Sequence, residues 1–202
     1  TRLIFILAQL YSEEGNLKAS TYYEWVVNRN PDYDMAFQAK INRALSFSGG
    51  DSKAIKAQLL KMLKDDKNIE YFDQIYFALA EIAFSDDQED LAIEYLMTSV
   101  RLSVNNKKQK AKSLQKLGDW NYMKDEYLLA YQYYDTIQKV WGNDSVAKSK
   151  TLKRYKTLEL IYQNSKTITD NDSILNICAL TPDERTKKLF DVVDILNFVV
   201  HI

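Results

Sequence analysis

The chain has 202 residues, 46% of them apolar and 27% charged, with a net charge of −1. This composition suits a packed core and excludes disordered and fibrous classes, and the near-neutral charge gives no whole-chain field for nucleic acid or acidic lipid. Five Gly and two Pro are too few for a turn-dense sandwich or barrel, so the expected class is all-α.

The single cysteine, Cys178, excludes an intramolecular disulfide framework. The sequence opens Thr1-Arg2-Leu3, and its first apolar run, Leu3 to Ala8, is far shorter than the ~20 residues that cross a bilayer. No basic segment precedes that run and no small-residue cleavage site follows it, so it does not read as a signal peptide. The expectation is a fragment or processed chain, with Leu3, Leu7 and Leu10 partly exposed.

Four units of similar pattern follow, expected at about 1–36, 37–72, 73–110 and 111–142. The first holds Leu7-Ala8, then Ala19-x3-Tyr23-x2-Val26, and closes at Pro31. The second holds Ala44, then Ile55-x3-Leu59-x2-Met62; Arg43 stands where the other units have Leu, which makes this unit the weakest match. The third holds Leu79-Ala80 and Ala92-x3-Leu96-x2-Ser99, and the fourth Leu117-Gly118 and Ala130-x3-Tyr134-x2-Ile137. The small residue of each pair suits a close helix crossing, and the triads follow the i, i+4, i+7 face of a helix buried on one side. Gly15-Asn16, Gly49-Gly50 and Asp86-Asp87 supply turns between the two helices of a unit. Together these spacings resemble the tetratricopeptide repeat. The resemblance implies a right-handed superhelical solenoid of antiparallel helix pairs.

After Gly142, Asn143-Asp144-Ser145 offers an N-cap for a long capping helix over 143–169. The polar stretch Thr167 to Asp172 reads as a loop, followed by a short helix from Ser173 to Leu180 that buries Cys178. Within the C-terminal region 170–202, Thr181-Pro182-Asp183-Glu184 forms a capping box for a last helix carrying Leu189, Phe190, Val193, Leu196 and Phe198.

Catalytic patterns are absent from the sequence. His201, the only histidine, is the penultimate residue, and no Gly-rich phosphate loop or Cys/His cluster occurs. The acidic pairs Glu13-Glu14, Asp65-Asp66 and Asp86-Asp87 read as solvated caps and turns, and the lysines at 107, 108, 110 and 112 as a solvated helix start. No cofactor or metal is expected, and the chain reads as a non-enzyme.

In tetratricopeptide proteins a concave groove is lined by recurring positions of each unit's first helix. Carried over, these give Gln9 in the first unit, Gln38 and Leu45 in the second, and Gln74, Phe77, Glu81 and Phe84 in the third. The fourth gives Lys112, Gln115, Asp119 and Tyr122. Phe77, Phe84 and Tyr122 are the candidate anchors, with Glu81 and Asp119 between them. Lys112 and Lys116 look like half of a carboxylate clamp, but Phe5, Ile41 and Leu45 replace its other polar positions.

A narrower likeness rests on the joint order of several stretches. These are Ala39-Lys40-Ile41-Asn42, Gly50-Asp51-Ser52-Lys53, Asp73-Gln74-Ile75-Tyr76, Ala78 to Ala83, Ala92 to Leu96, Gln109-Lys110-Ala111 and Tyr133-Tyr134-Asp135. They resemble the PorW/SprE-like tetratricopeptide lipoproteins of the Bacteroidota type IX secretion and gliding-motility machinery. That resemblance implies a periplasm-facing scaffold, tied to the outer membrane by an N-terminal lipid anchor, that bridges other secretion subunits. The alternative is a soluble tetratricopeptide adaptor with an unrelated protein partner.

Overall fold

The computed structural model describes residues 1–47, 52–142 and 144–187. Every regular element among them is a helix: α1 (Arg2–Glu13), α2 (Lys18–Val27), α3 (Tyr33–Leu45), α4 (Lys53–Met62), α5 (Phe72–Ser85), α6 (Glu89–Leu102), α7 (Lys107–Met123), α8 (Tyr127–Trp141) and α9 (Ser145–Cys178). A 3-10 helix, Asp66–Tyr71, leads into α5. It was not expected from the sequence; Asp65 starts it by accepting the Lys67 N–H at 3.1 Å. Other starts are capped in the same way, Asp32 accepting from Met35 and Asn106 from Gln109.

Packing follows chain order. Each helix lies mainly against its sequence neighbours, and α3 also touches α5, as α5 touches α7. The core is a succession of clusters rather than one centre. Ala8, Tyr23 and Val26 belong to the first, Phe37, Leu59 and Ile75 to the next, then Ala80, Leu96 and Leu117, and finally Ala130, Tyr134 and Leu158.

The expected register is present in this packing. The buried residues of α2 are Ala19, Tyr23 and Val26; those of α4 are Ile55, Leu59 and Met62. In α6 they are Ala92, Leu96 and Ser99, and in α8 Ala130, Tyr134 and Ile137. Opposite them Ala8, Ala44, Ala80 and Gly118 are all buried. The turn chemistry repeats too. Seven positions after the small residue, Gly15, Asp87 and Asp125 take left-handed φ values of +65°, +56° and +62°. The next N–H then bonds back to the helix, Asn16 to the Tyr11 carbonyl, Gln88 to Ala83 and Glu126 to Asn121. That is the Schellman closure of a helix end. Gly49-Gly50 lies outside the described residues.

Polar links between units keep the same interval. Ser12 meets Ser46 at 3.0 Å, Tyr33 donates to Asn68 at 2.5 Å, and Ser52 donates to Asp86 at 2.7 Å. Lys116 pairs with Glu81 at 2.9 Å, Lys124 with Glu89 at 3.0 Å, and Arg154 with Asp119. Each pair is 34 or 35 residues apart.

Arg43 of α3 turns toward α2. In place of the leucine of other units, its guanidinium turns to Glu24 of α2 at 2.8 Å, and its buried Nε has no hydrogen-bond partner. Between α5, α6 and α7 lies a buried polar chain. Gln109 donates to Ser113 at 3.0 Å, Ser113 and Ser99 meet at 2.8 Å, and Ser99 donates to the Asp73 carbonyl at 2.7 Å.

The region after α8 differs from expectation. Residues 167–172 continue α9 instead of forming a loop, and no separate helix begins at Ser173. Polarity alone does not end a helix, and no Gly or Pro occurs between Ser145 and Cys178. The hydroxyls of Thr167, Thr169 and Ser173 bond back to the carbonyls of Gln163, Ser165 and Thr169, so they compete little with the helix. Cys178 is exposed, not buried, because this end of α9 runs past its packing on α8. The capping box is present: Glu184 accepts the Thr181 N–H at 2.9 Å, and Thr181 Oγ1 accepts the Glu184 N–H at 3.4 Å. The apolar residues expected on the last helix, from Leu189 onward, lie outside the described residues.

Candidate functional site

The expected groove residues do not form one uniform surface. Gln9 is exposed on α1, and Gln38 on α3 and Gln74 on α5 are half-buried. Leu45 is half-buried and packs on the core between the second and third units. Phe77 is only 4% exposed and packs with Ala80, Leu96 and Leu117. It is therefore part of the core and not an anchor, because the α5–α7 crossing draws its ring inward.

Side chains of the protein itself fill the seam between α5 and α7. Lys112 Nζ lies 4.5 Å from the centre of the Phe77 ring. Glu81 is held by Lys116, whose ammonium also sits 5.4 Å from the Phe84 ring centre. Phe84 packs on Trp120 at 5.0 Å, and Lys124 covers Trp120 at 4.6 Å while pairing with Glu89. Protein surroundings push the Lys112 ammonium below the ordinary lysine range; Glu81 opposes that shift and Lys116 adds to it.

The seam between α7 and α9 is open. A cleft of about 600 Å³ is lined by Gln115, Asp119, Tyr122 and Tyr134 on one side and Thr151, Lys153, Arg154 and Thr157 on the other. Three of the expected groove residues therefore share one site. Asp119 organises it, accepting the Tyr134 hydroxyl at 2.6 Å and pairing with Arg154. The Arg154 guanidinium lies 5.0 Å from the centre of the Tyr122 ring, which also meets the edge of Tyr127 at 5.4 Å. Burial pushes the Tyr134 hydroxyl up to about 12, so at neutral pH it stays a proton donor to Asp119. Gln115 is exposed and lines the cleft.

None of the expected groove residues lies on α9, which forms this wall. Arg154 had a usable signal: it stands 38 residues after Lys116, as Asp119 stands 38 after Glu81. The first half of α9 thus makes toward α7 the acid–cation pairing that α7 makes toward α5. Chemically the cleft offers a paired guanidinium, an exposed ammonium, a braced carboxylate, an aromatic face and an amide, which is the equipment of recognition. Among the described residues no group of three or more His, Cys, Asp or Glu side chains is placed to hold a metal ion, and no helix is long and apolar enough to cross a membrane. His201 lies outside the described residues. No family model matches the chain, and no curated protein matches it.

Proposed function

We propose that this chain is a tetratricopeptide-type solenoid acting as a non-enzymatic scaffold, and that it binds an extended segment of a protein partner along its concave side at the α7–α9 cleft. Support for the repeat comes from the small residue, buried triad and left-handed closure recurring in register, together with polar links 34 or 35 residues apart. The observation that carries the site is the contrast between seams: α5–α7 is filled by its own aromatic and cationic side chains, whereas α7–α9 leaves Tyr122, Gln115 and Lys153 around open volume. The sequence resemblance supplies the narrower proposal that the partners are subunits of a type IX secretion apparatus at the outer membrane.

The test is photo-crosslinking from a probe amino acid at Gln115 in cells of a Bacteroidota species carrying the machinery, with the same probe at exposed Gln132 of α8 as control. The expected result is a discrete protein adduct from Gln115 alone, lost on Tyr122→Ala. Adducts of equal yield from both positions would remove the binding site from the cleft. Adducts that contain no secretion subunit would remove the secretion assignment and leave the scaffold.

A further inference from the structure

A second opening lies between α3 and α4 and shares no residue with the cleft. In the other three units the two helices close on each other through an apolar pair at fixed positions. One member stands four residues before the small residue of the first helix, the other three residues after the start of the second helix's triad. These pairs are Ile4 with Tyr22, Tyr76 with Tyr95 and Leu114 with Tyr133, and each packs on the core. In the second unit the same positions hold Lys40 and Gln58, both half-buried. The seam without its ring is a cavity of about 250 Å³, lined on its apolar side by the buried Phe37 and Met62. Tyr33, Lys61, Asp65 and Asn68 supply its other polar groups. The Tyr33 hydroxyl donates to Asn68 at 2.5 Å, and Asp65 accepts the Lys67 N–H at 3.1 Å. Neither the Lys40 nor the Lys61 ammonium has a hydrogen-bond or ion-pair partner among the described residues.

We propose that this cavity binds a small organic carboxylate whose body is a single ring or a comparably compact apolar group. The body takes the volume that a tyrosine ring fills in the other units, against Phe37 and Met62. The carboxylate takes the two unpaired ammoniums, and the Gln58 amide supplies a neutral donor. Three features select this class. At neutral pH two ammoniums meet one carboxylate, that of Asp65, so the cavity favours an anion and opposes an amine. The apolar wall returns nothing to an inorganic anion that gives up its hydration, but gains from covering a ring. The volume of about 250 Å³ equals that of roughly eight waters and lies below the roughly 300–1,000 Å³ of sites for drug-sized ligands, so it suits one ring and not a stretch of chain. This site is independent of partner binding at the α7–α9 cleft, and the two stand or fall separately.

The test is titration of the full chain with phenylacetate, followed by calorimetry and by amide chemical shifts. Phenethylamine, with the same ring and the opposite charge, and acetate, with the charge and no ring, are the comparators. Phenylacetate should saturate with a dissociation constant of about 1 mM or below, and both comparators should bind about tenfold or more weakly. Gln58→Tyr restores the ring of the other units and should weaken phenylacetate about tenfold or more in a protein that melts normally. Lys40→Gln keeps most of the side-chain volume, removes one ammonium and should weaken phenylacetate while leaving phenethylamine unchanged. Lys108→Gln, at an exposed lysine of α7, should change neither. The proposal is overturned if phenylacetate does not saturate, if phenethylamine binds as tightly, or if Lys108→Gln weakens binding as much as Lys40→Gln does. It is also overturned if a folded Gln58→Tyr protein still binds phenylacetate with wild-type affinity.

Discussion

Gly118→Ala tests the crossing of α7 and α8 most directly. A Cβ at residue 118 would lie 2.7 Å from Tyr134 Cε2 and 2.8 Å from Cδ2, against an ordinary carbon–carbon contact of about 3.5–4.0 Å. The ring must then move by roughly 1 Å. It has little freedom to do so, being buried and tied through its hydroxyl to Asp119 at 2.6 Å. Overpacking of this kind costs about 1–3 kcal/mol, while the helix propensity gained on replacing Gly by Ala returns about 1 kcal/mol. The expected net effect is a loss of up to about 2 kcal/mol. The third unit supplies the control, since its equivalent pair is Ala80 and Leu96, both fully buried. In a Tyr134→Leu background, Gly118→Ala recreates that pair and should be neutral or stabilising by about 1 kcal/mol. The assay is urea denaturation of the four proteins, followed by far-ultraviolet circular dichroism. The reasoning fails if Gly118→Ala stabilises the wild type, or if its effect is the same in both backgrounds.

Two further perturbations address the core. Ser99→Ala removes the hydroxyl that donates to the Asp73 carbonyl and meets Ser113; stranding those buried groups should cost about 1–3 kcal/mol in urea denaturation. High pH provides the other test, because burial pushes Tyr134 from 10.0 up to about 12 and also raises Tyr155. The folded state holds protons that the unfolded chain releases first, so their contribution is complete below the ordinary tyrosine pKa and declines as pH climbs from about 10 toward about 12. The urea midpoint should fall across that window, and Tyr134→Phe should flatten the fall.

Burial patterns made most of the fold legible in the sequence. A small residue followed at fixed spacing by an i, i+4, i+7 triad reports both which residues are covered and which helices cross, and Ala8 through Ile137 follow that logic. The second unit was legible in outline, but the destination of Arg43 was not, because Glu24 is supplied by a neighbouring helix 19 residues away in sequence. The course of α9 departs from expectation for a different reason. The stretch Thr167 to Asp172 is polar enough to read as a loop, yet in an uninterrupted helix the Thr167 and Thr169 hydroxyls fold back on the preceding turn and leave the backbone pattern intact. Phe77 shows the limit of positional reasoning about the site: its place on the helix was correct, but whether an aromatic there is open or covered depends on the next helix.

The same comparison explains why the cleft lies where it does. Across the 38 residues separating units, Glu81 becomes Asp119 and Lys116 becomes Arg154, so the acid–cation rung between successive first helices is retained. What changes is the filler, for the buried Phe77 of α5 is replaced at the same position of α7 by exposed Gln115. A ring seals the first seam, and an amide leaves the second open. Gln115→Phe should therefore close the cleft by placing a ring at the position where α5 carries Phe77. Stability should hold or rise slightly, since the substitution adds apolar contact and removes no paired group, and partner capture should drop about tenfold or more, as for loss of a central contact. An unchanged partner yield with Gln115→Phe, in a protein that melts normally, would mean that the open volume between α7 and α9 is not where the partner binds.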